Sequence, residues 1–259
     1  MPADPKSGAK LALYETFARV GKALASPLRL ILLDLLGQAE RSVEELAGQA
    51  GAQVANTSAQ LQVLRAAGLV ATRKEGTRVY YRLASGQVAG LVAQLREVAR
   101  AELAEADRAA REYLGDLSGM EPVSRDELAR RLAEGSVVVL DVRPAAEYAA
   151  GHVPGARSVP LEQLEARLAE LPADAGIVAY CRGRYCVYAP EAVRLLRARG
   201  YQADRLEDGF DEWRRAGGEI EVAGETRVPG EIRVADKAEV AMEPGAAGEA
   251  GTAGEHPGG

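Results

Sequence analysis

Cys181 and Cys186 are the only cysteines of this 259-residue chain, and they stand five positions apart in "YCRGRYC", with Arg182 and Arg184 between them. Two thiols at that spacing can close a structural disulfide, help to hold a metal, or work as a reactive pair. A closed zinc site wants four ligands, and the chain offers only His152 and His256 besides the cysteines, so no metal centre is expected. Two cysteines in so long a chain do not make a disulfide framework. The opening "MPADPKSGAKLALYETFARVG" lacks the apolar core and small-residue cleavage site of a secretory signal. The expected compartment is therefore a reducing cytoplasm, where close-spaced cysteines more often do chemistry or bind metal than staple a fold.

The residues around the pair say how it would be positioned. Cys181 follows the apolar run "GIVAY", which reads as a buried strand. Ala189-Pro190 then opens a helix with Pro in its first turn. A strand that stops, a short loop containing Gly183, and a helix behind it would form a cradle of backbone N–H groups at a positive dipole end. Such a cradle stabilises a thiolate on Cys181, the condition for a nucleophile at neutral pH. Arg182 and Arg184 add fixed positive charge for an anionic substrate.

The wider segment 119–222 alternates β-prone runs ("VVVLDV", "IVAYC", "QADRL") with helical stretches at Ser124–Glu134, Leu161–Leu171 and Glu191–Arg199. That alternation predicts an α/β domain with a mainly parallel sheet. Residues 223–259 are rich in Gly, Ala, Glu and Pro without apolar periodicity, and are expected to be a disordered tail.

Residues 1–118 have a different pattern. Leu24, Leu28, Ile31, Leu32, Leu35 and Leu36 recur at helical spacing after Ser26-Pro27. Ser42 and Glu45 form a capping box for a short helix through Ala50, and Gly51 breaks it. A second helix runs from about Val54 to Ala67 and ends at Gly68. Helix, tight break, helix is a helix-turn-helix pattern. Leu69–Arg73 and Arg78–Leu83, joined by "KEGT", would be a hairpin wing. Beyond it Val88, Leu91, Leu95, Val98, Glu102 and Ala106 predict one long helix. Its apolar seam should pair with a second copy of the chain, pack on the N-terminal helix Leu11–Leu24, or do both together.

Two resemblances follow from these residues. "ALASPLRLILLDLL…SVEELAGQAGAQVANTSAQLQVLRAAGLVATRKEGTRVYYRLA" resembles the ArsR type of winged helix-turn-helix repressor. "VVVLDVRPAAEYAAGHVPGARSVP", "YCRGRYC" and "LEDGFDEWRRAG" together resemble a rhodanese, or sulfurtransferase, domain over about 123–221.

The second resemblance implies that Cys181 is the sulfur-accepting nucleophile and that Cys181–Cys186 is the active loop, with Arg182, Gly183, Arg184 and Tyr185 facing the substrate. Cys186 would be free to attack a sulfur carried on Cys181. Asp141 and Arg143 would support the site, while His152 is expected in a structural turn and Trp213 in the core.

The first resemblance implies operator DNA as partner, in a homodimer. Asn56, Thr57, Ser58 and Gln60 would lie near the start of the recognition helix and reach base edges, with Arg73, Lys74 and Arg78 of the wing on phosphates. Many relatives of that domain sense metals through Cys or His, and residues 1–118 contain neither.

Charge is consistent with this division. Residues 1–118 carry 15 Lys+Arg against 13 Asp+Glu, and residues 119–222 carry 14 against 18. The basic residues between Gln53 and Leu83 give a DNA reader its footprint. The longest uncharged run, Leu46 to Leu64, is broken by polar residues, so no membrane span is expected. No cofactor is implied. The expectation is an ArsR-type domain (1–118), a rhodanese-like domain (119–222) and a tail (223–259). The chain would act as a regulator, in all expectation a repressor, that senses sulfane sulfur from a donor such as thiosulfate or polysulfide. The alternative is a working sulfurtransferase that carries a DNA-binding module.

Overall fold

The computed structural model describes residues 5–172, 175–222 and 225–227. The winged lobe begins with helices α1 (Pro5–Leu24) and α2 (Pro27–Gln38), then strand β1 (Arg41–Ser42), α3 (Val43–Gln49) and α4 (Val54–Ala66). Ser42 caps α3 as the sequence requires: its hydroxyl accepts from the Glu45 N–H, and the Glu45 carboxylate accepts from the Ser42 N–H. Ser26 stands at the start of α2 but makes no side-chain cap; Pro27 is in the first turn. Gly68, at φ +75°, lets the chain leave α4, and the Leu69 N–H turns back to the Leu64 carbonyl.

The wing is β2 (Val70–Glu75) and β3 (Arg78–Leu83), with β1 on the outer side of β3, all antiparallel. Leu32, Leu33, Leu36, Leu46, Leu61, Leu64 and Tyr81 make one core between the helices and the wing.

The helix after the wing is not continuous. It divides at Leu103, whose extended backbone (φ −111°, ψ 103°) separates α5 (Gly86–Glu102) from α6 (Ala104–Leu114). The 3–4 series carries the charged Glu102 just before the break and resumes at Ala106, so its apolar seam is interrupted there. None of the α6 side chains is buried. The change of direction places α6 where it can wall a cavity rather than extend the α5 seam.

The second lobe has a five-stranded parallel sheet ordered β4–β8–β7–β5–β6, formed by β4 (Pro122–Val123), β5 (Val137–Asp141), β6 (Arg157–Ser158), β7 (Gly176–Tyr180) and β8 (Ala203–Leu206). Helices α7 (Arg125–Ala133), α8 (Ala145–Ala150), α9 (Leu161–Leu164), α10 (Tyr188–Ala198) and α11 (Phe210–Arg215) surround it, with a 3-10 turn at Glu165–Glu170. Alternation along the strands feeds two cores. One takes Leu140, Ile177, Ala179, Cys181 and Ala203 against α10; the other takes Val139, Val178, Tyr180, Leu206 and Phe210.

The short strands β4 and β6 and helices α8 and α11 are too brief to announce themselves by period. A final hairpin pairs β9 (Ile220–Val222) with β10 (Glu225–Arg227), so residues 225–227 of the expected tail are a strand. The rest of that tail, 223–224 and 228–259, lies outside the described residues. Among the described residues no helix is long and apolar enough to cross a membrane.

Candidate functional site

Strand β7 ends at Tyr180, and Cys181 is the next residue. Its sulfur lies 3.4 Å from the Cys186 carbonyl oxygen and 4.0 Å from that of Gly183. The loop closes on itself through the Cys186 N–H, which donates to the Gly183 carbonyl at 3.0 Å. The start of α11 pins it from outside: the Phe210 N–H donates to the Cys181 carbonyl and the Asp211 N–H to that of Arg182. Gly209 allows this approach, since a Cβ there would meet the Gly183 Cα at 2.2 Å.

Both cysteines are free thiols, Cys181 buried and Cys186 half-buried. Burial pushes the Cys181 thiol well above its ordinary value, and its hydrogen bond to Cys186 adds to the effect. That same hydrogen bond holds Cys186 below its ordinary value, against the opposing pull of burial. This corrects the expectation of a stabilised thiolate on Cys181. The N–H groups of Ala189 and Gly183 do favour its charge, but burial outweighs them. Of the two thiols, Cys186 is the more acidic in the reduced pair.

A cavity of about 860 Å³ opens on the loop. Gly183, Arg184, Tyr185 and both cysteines line one side, Arg205–Gly209 another, and α6 with the following 115–118 segment closes it from the winged lobe. Arg184 approaches Asp208 at 3.6 Å, and Asp208 is shared with Arg125 at 3.2 Å.

Arg182 is a second correction. It does not line this cavity; its guanidinium grips the fully buried Glu147 carboxylate of α8 at 2.6–3.0 Å. From there the contacts cross into the winged lobe. Glu147 also accepts from Arg41 of β1 at 2.5 Å, and Arg182 donates to Gln49 of α3 at 3.0 Å. Glu147, Arg41 and Gln49 were not singled out by sequence reasoning. The one signal was a carboxylate alone in the apolar stretch "AAEYAA".

Asp141 and Arg143 form an ion pair with no solvent exposure at 2.6 Å. The Tyr180 hydroxyl donates to Asp141 at 2.7 Å, which fixes the residue before Cys181. Arg143 also donates to the Gly151 carbonyl and, across the lobes, to Gln38. His152 is buried in a turn, stacked on Tyr148 with centroids 3.6 Å apart, and Trp213 packs partly against the second core.

Along α4, Asn56 is exposed and Ser58 and Gln60 are half-exposed. Gln60 is engaged with Arg29 and Asn56. Thr57 is a third correction: it is fully buried in the core and cannot reach a base edge. In the wing, Arg73 is held by Glu40 and Glu75 and lies over the Tyr80 ring. Lys74 and Arg78 are exposed at the hairpin, with no carboxylate in ion-pair range among the described residues.

The winged helix-turn-helix and the parallel α/β lobe with its cysteine loop define a two-domain regulator. Residues 26–72 match the arsR family of bacterial regulatory proteins, and residues 124–216 match the rhodanese-like domain. The HTH-type transcriptional regulator Rv0324 of Mycobacterium tuberculosis is 51% identical over 212 residues, which span 82% of this chain and 93% of the relative. The chain belongs to that family of ArsR-type transcriptional regulators with a rhodanese-like domain.

A sulfurtransferase of Allochromatium vinosum is 33% identical over 97 residues, 37% of this chain and 89% of its own length. Among solved structures, a homodimeric winged helix-turn-helix DNA-binding domain from Mycobacterium bovis is 48% identical, with a TM-score of 0.35, and the match covers 40% of this chain and 92% of that one.

Proposed function

We propose that this regulator is a cytoplasmic, homodimeric repressor whose rhodanese-like domain accepts sulfane sulfur on Cys181 and passes the change to the operator-binding lobe. The observation that carries the reading is the bridge from the active loop to the helix-turn-helix. Arg182 follows the nucleophile directly, and its guanidinium is tied through Glu147 to Arg41 and directly to Gln49. A covalent change at Cys181 therefore bears on the strand and helix that precede the recognition helix.

The chemistry begins with loss of the Cys181 proton, whose thiolate the Ala189 and Gly183 N–H groups favour. The Cys181 sulfur then attacks the outer sulfur of a donor such as thiosulfate. A Cys181–sulfur bond forms, the donor's S–S bond breaks, and its electron pair leaves with sulfite. The Cys186 thiol can next attack the inner sulfur of the Cys181 persulfide. This yields a Cys181–Cys186 disulfide and expels hydrosulfide, with no outside oxidant.

The lobe that binds DNA would use Asn56, Ser58 and Gln60 toward bases and Lys74 and Arg78 toward phosphates, with Arg73 held as a partly neutralised wing residue. Dimerisation is supported by apolar side chains that α1 and α5 leave exposed, among them Leu11, Tyr14, Phe17, Leu91, Leu95 and Val98. A working sulfurtransferase is the second reading, favoured by the roomy cavity at Cys181 and the Allochromatium relative.

Operator affinity with and without a sulfur donor separates the two. The donor should change wild-type affinity tenfold or more, which needs only about 1.4 kcal/mol of coupling. Cys181→Ser should stay in the reduced behaviour. Glu147→Gln should load sulfur, by mass spectrometry, yet lose the response. Equal affinity under all donor conditions, with rapid sulfur turnover, would establish the enzyme and end the sensor reading.

A further inference from the structure

Arg205 lies in β8, opposite Ala179 of β7 in the parallel pairing. Ala203 and Arg205 alternate with Asp204, just as Ala179 and Cys181 alternate with Tyr180, so Arg205 shares the sheet face of the nucleophile. It lines the same cavity as Cys181. Its Nε–H is buried and has no hydrogen-bond partner, and no carboxylate lies within ion-pair range among the described residues. A buried donor left unpaired costs more than a hydrogen bond returns, so such groups in native proteins call for an explanation.

Neighbouring arginines differ in this respect: Arg184 has Asp208, and Arg182 has Glu147. Burial lowers the Arg205 pKa from its ordinary value, while Cys181 and Glu207 favour its charge.

We propose that Arg205 is the anion subsite of the cavity and that its free Nε–H receives the sulfonate oxygens of a thiosulfonate-type donor, thiosulfate being the smallest. This rests on Cys181 being the sulfur acceptor. The donor's outer sulfur then faces Cys181 while the guanidinium holds the leaving group. When the S–S bond breaks, the electron pair departs with the sulfite that the guanidinium already held as sulfonate, a contact made equally in the bound donor and in the transition state. Sulfonate oxygens present several acceptors to a planar fork, which a polysulfide chain lacks, so Arg205 should select between the two donor classes. The cavity volume falls within the range of small-molecule sites and leaves space for an organic substituent on the sulfonate.

The test compares the full-length chain with Arg205→Gln and Arg205→Lys, with circular dichroism confirming the fold. Persulfide formation on Cys181 is followed by mass spectrometry against concentrations of thiosulfate, benzenethiosulfonate and inorganic polysulfide. Arg205→Gln should raise the KM for thiosulfate at least tenfold with kcat within threefold, leave polysulfide loading within threefold, and be partly rescued by Arg205→Lys.

A benzenethiosulfonate KM below that of thiosulfate would mark an organic donor, and the reverse an inorganic one; either satisfies the subsite. On the unreactive Cys181→Ser background, calorimetric binding of thiosulfate should weaken to the same extent on Arg205→Gln. Unchanged KM and unchanged thiosulfate binding in Arg205→Gln, with Cys181 loaded normally, would overturn the subsite. Absence of any Cys181 persulfide in the wild type, with Arg205-dependent thiosulfate binding intact, would overturn the acceptor reading and leave the subsite standing.

Discussion

At the scale of single residues, the recognition helix shows how a sequence position and a surface position differ. Asn56, Thr57 and Ser58 are adjacent in the chain, yet the helical turn sends Thr57 inward beside Leu61 and Leu64. The Thr57 hydroxyl is buried without a partner. Thr57→Val keeps the shape and removes the unpaired group, so it should raise stability by about 1 kcal/mol in denaturant titrations. Operator affinity should stay within twofold, whereas loss of binding would return Thr57 to the DNA contacts.

The sequence made the cysteine loop plain because three separated motifs converge on it. It could not show which thiol is the more acidic. That depends on the burial of Cys181 beneath α10 and on its hydrogen bond to Cys186, both products of the assembled fold.

At the scale of elements, α11 meets the winged lobe where α2 ends. Arg214 donates to the Gly37 carbonyl and to Asp211 at 3.0 Å, and Asp211 faces Asp34 and Arg96 of the winged lobe as well as its neighbour Glu212. Burial raises the Asp211 pKa from 3.8 to about 6; Asp34 and Glu212 push the same way, and Arg214 and Arg96 oppose them. The folded state thus binds this proton more tightly than the unfolded chain. Its contribution to stability is full below the unfolded pKa and is lost as pH rises through the folded one.

Asp211→Asn cannot titrate, so the wild type should lose on the order of 2 kcal/mol relative to it between pH 4 and pH 7. Parallel pH–stability curves for the two proteins would contradict this. The long elements of the fold were legible because α2, α4, β5 and β7 repeat their period several times. The two-residue strands β4 and β6 repeat nothing, so they emerge only from tertiary contacts, while the break at Leu103 is signalled only by Glu102 in the apolar series.

At the scale of the whole molecule, α5 buries Val88 and Val92 but leaves Leu91, Leu95 and Val98 outward at four- and three-residue steps. Leu95→Glu places a charge in the middle of that stripe. Sedimentation should then shift from dimer toward monomer with the fold retained, and an unchanged dimer would locate the interface elsewhere.

The ties between the lobes have a consequence for how such a chain can be recombined. Gln38, Arg41 and Gln49 of the winged lobe each meet one specified group: Arg143, Glu147 and Arg182. A chimera whose grafted rhodanese-like domain lacks an acid at the position of Glu147 would strand the Arg41 guanidinium without its carboxylate, at a cost of about 3–5 kcal/mol. Domain shuffling therefore has to carry a matched acid at 147 and a matched base at 182, and two halves taken from different parents should fold poorly together unless those two positions travel with the transplanted piece.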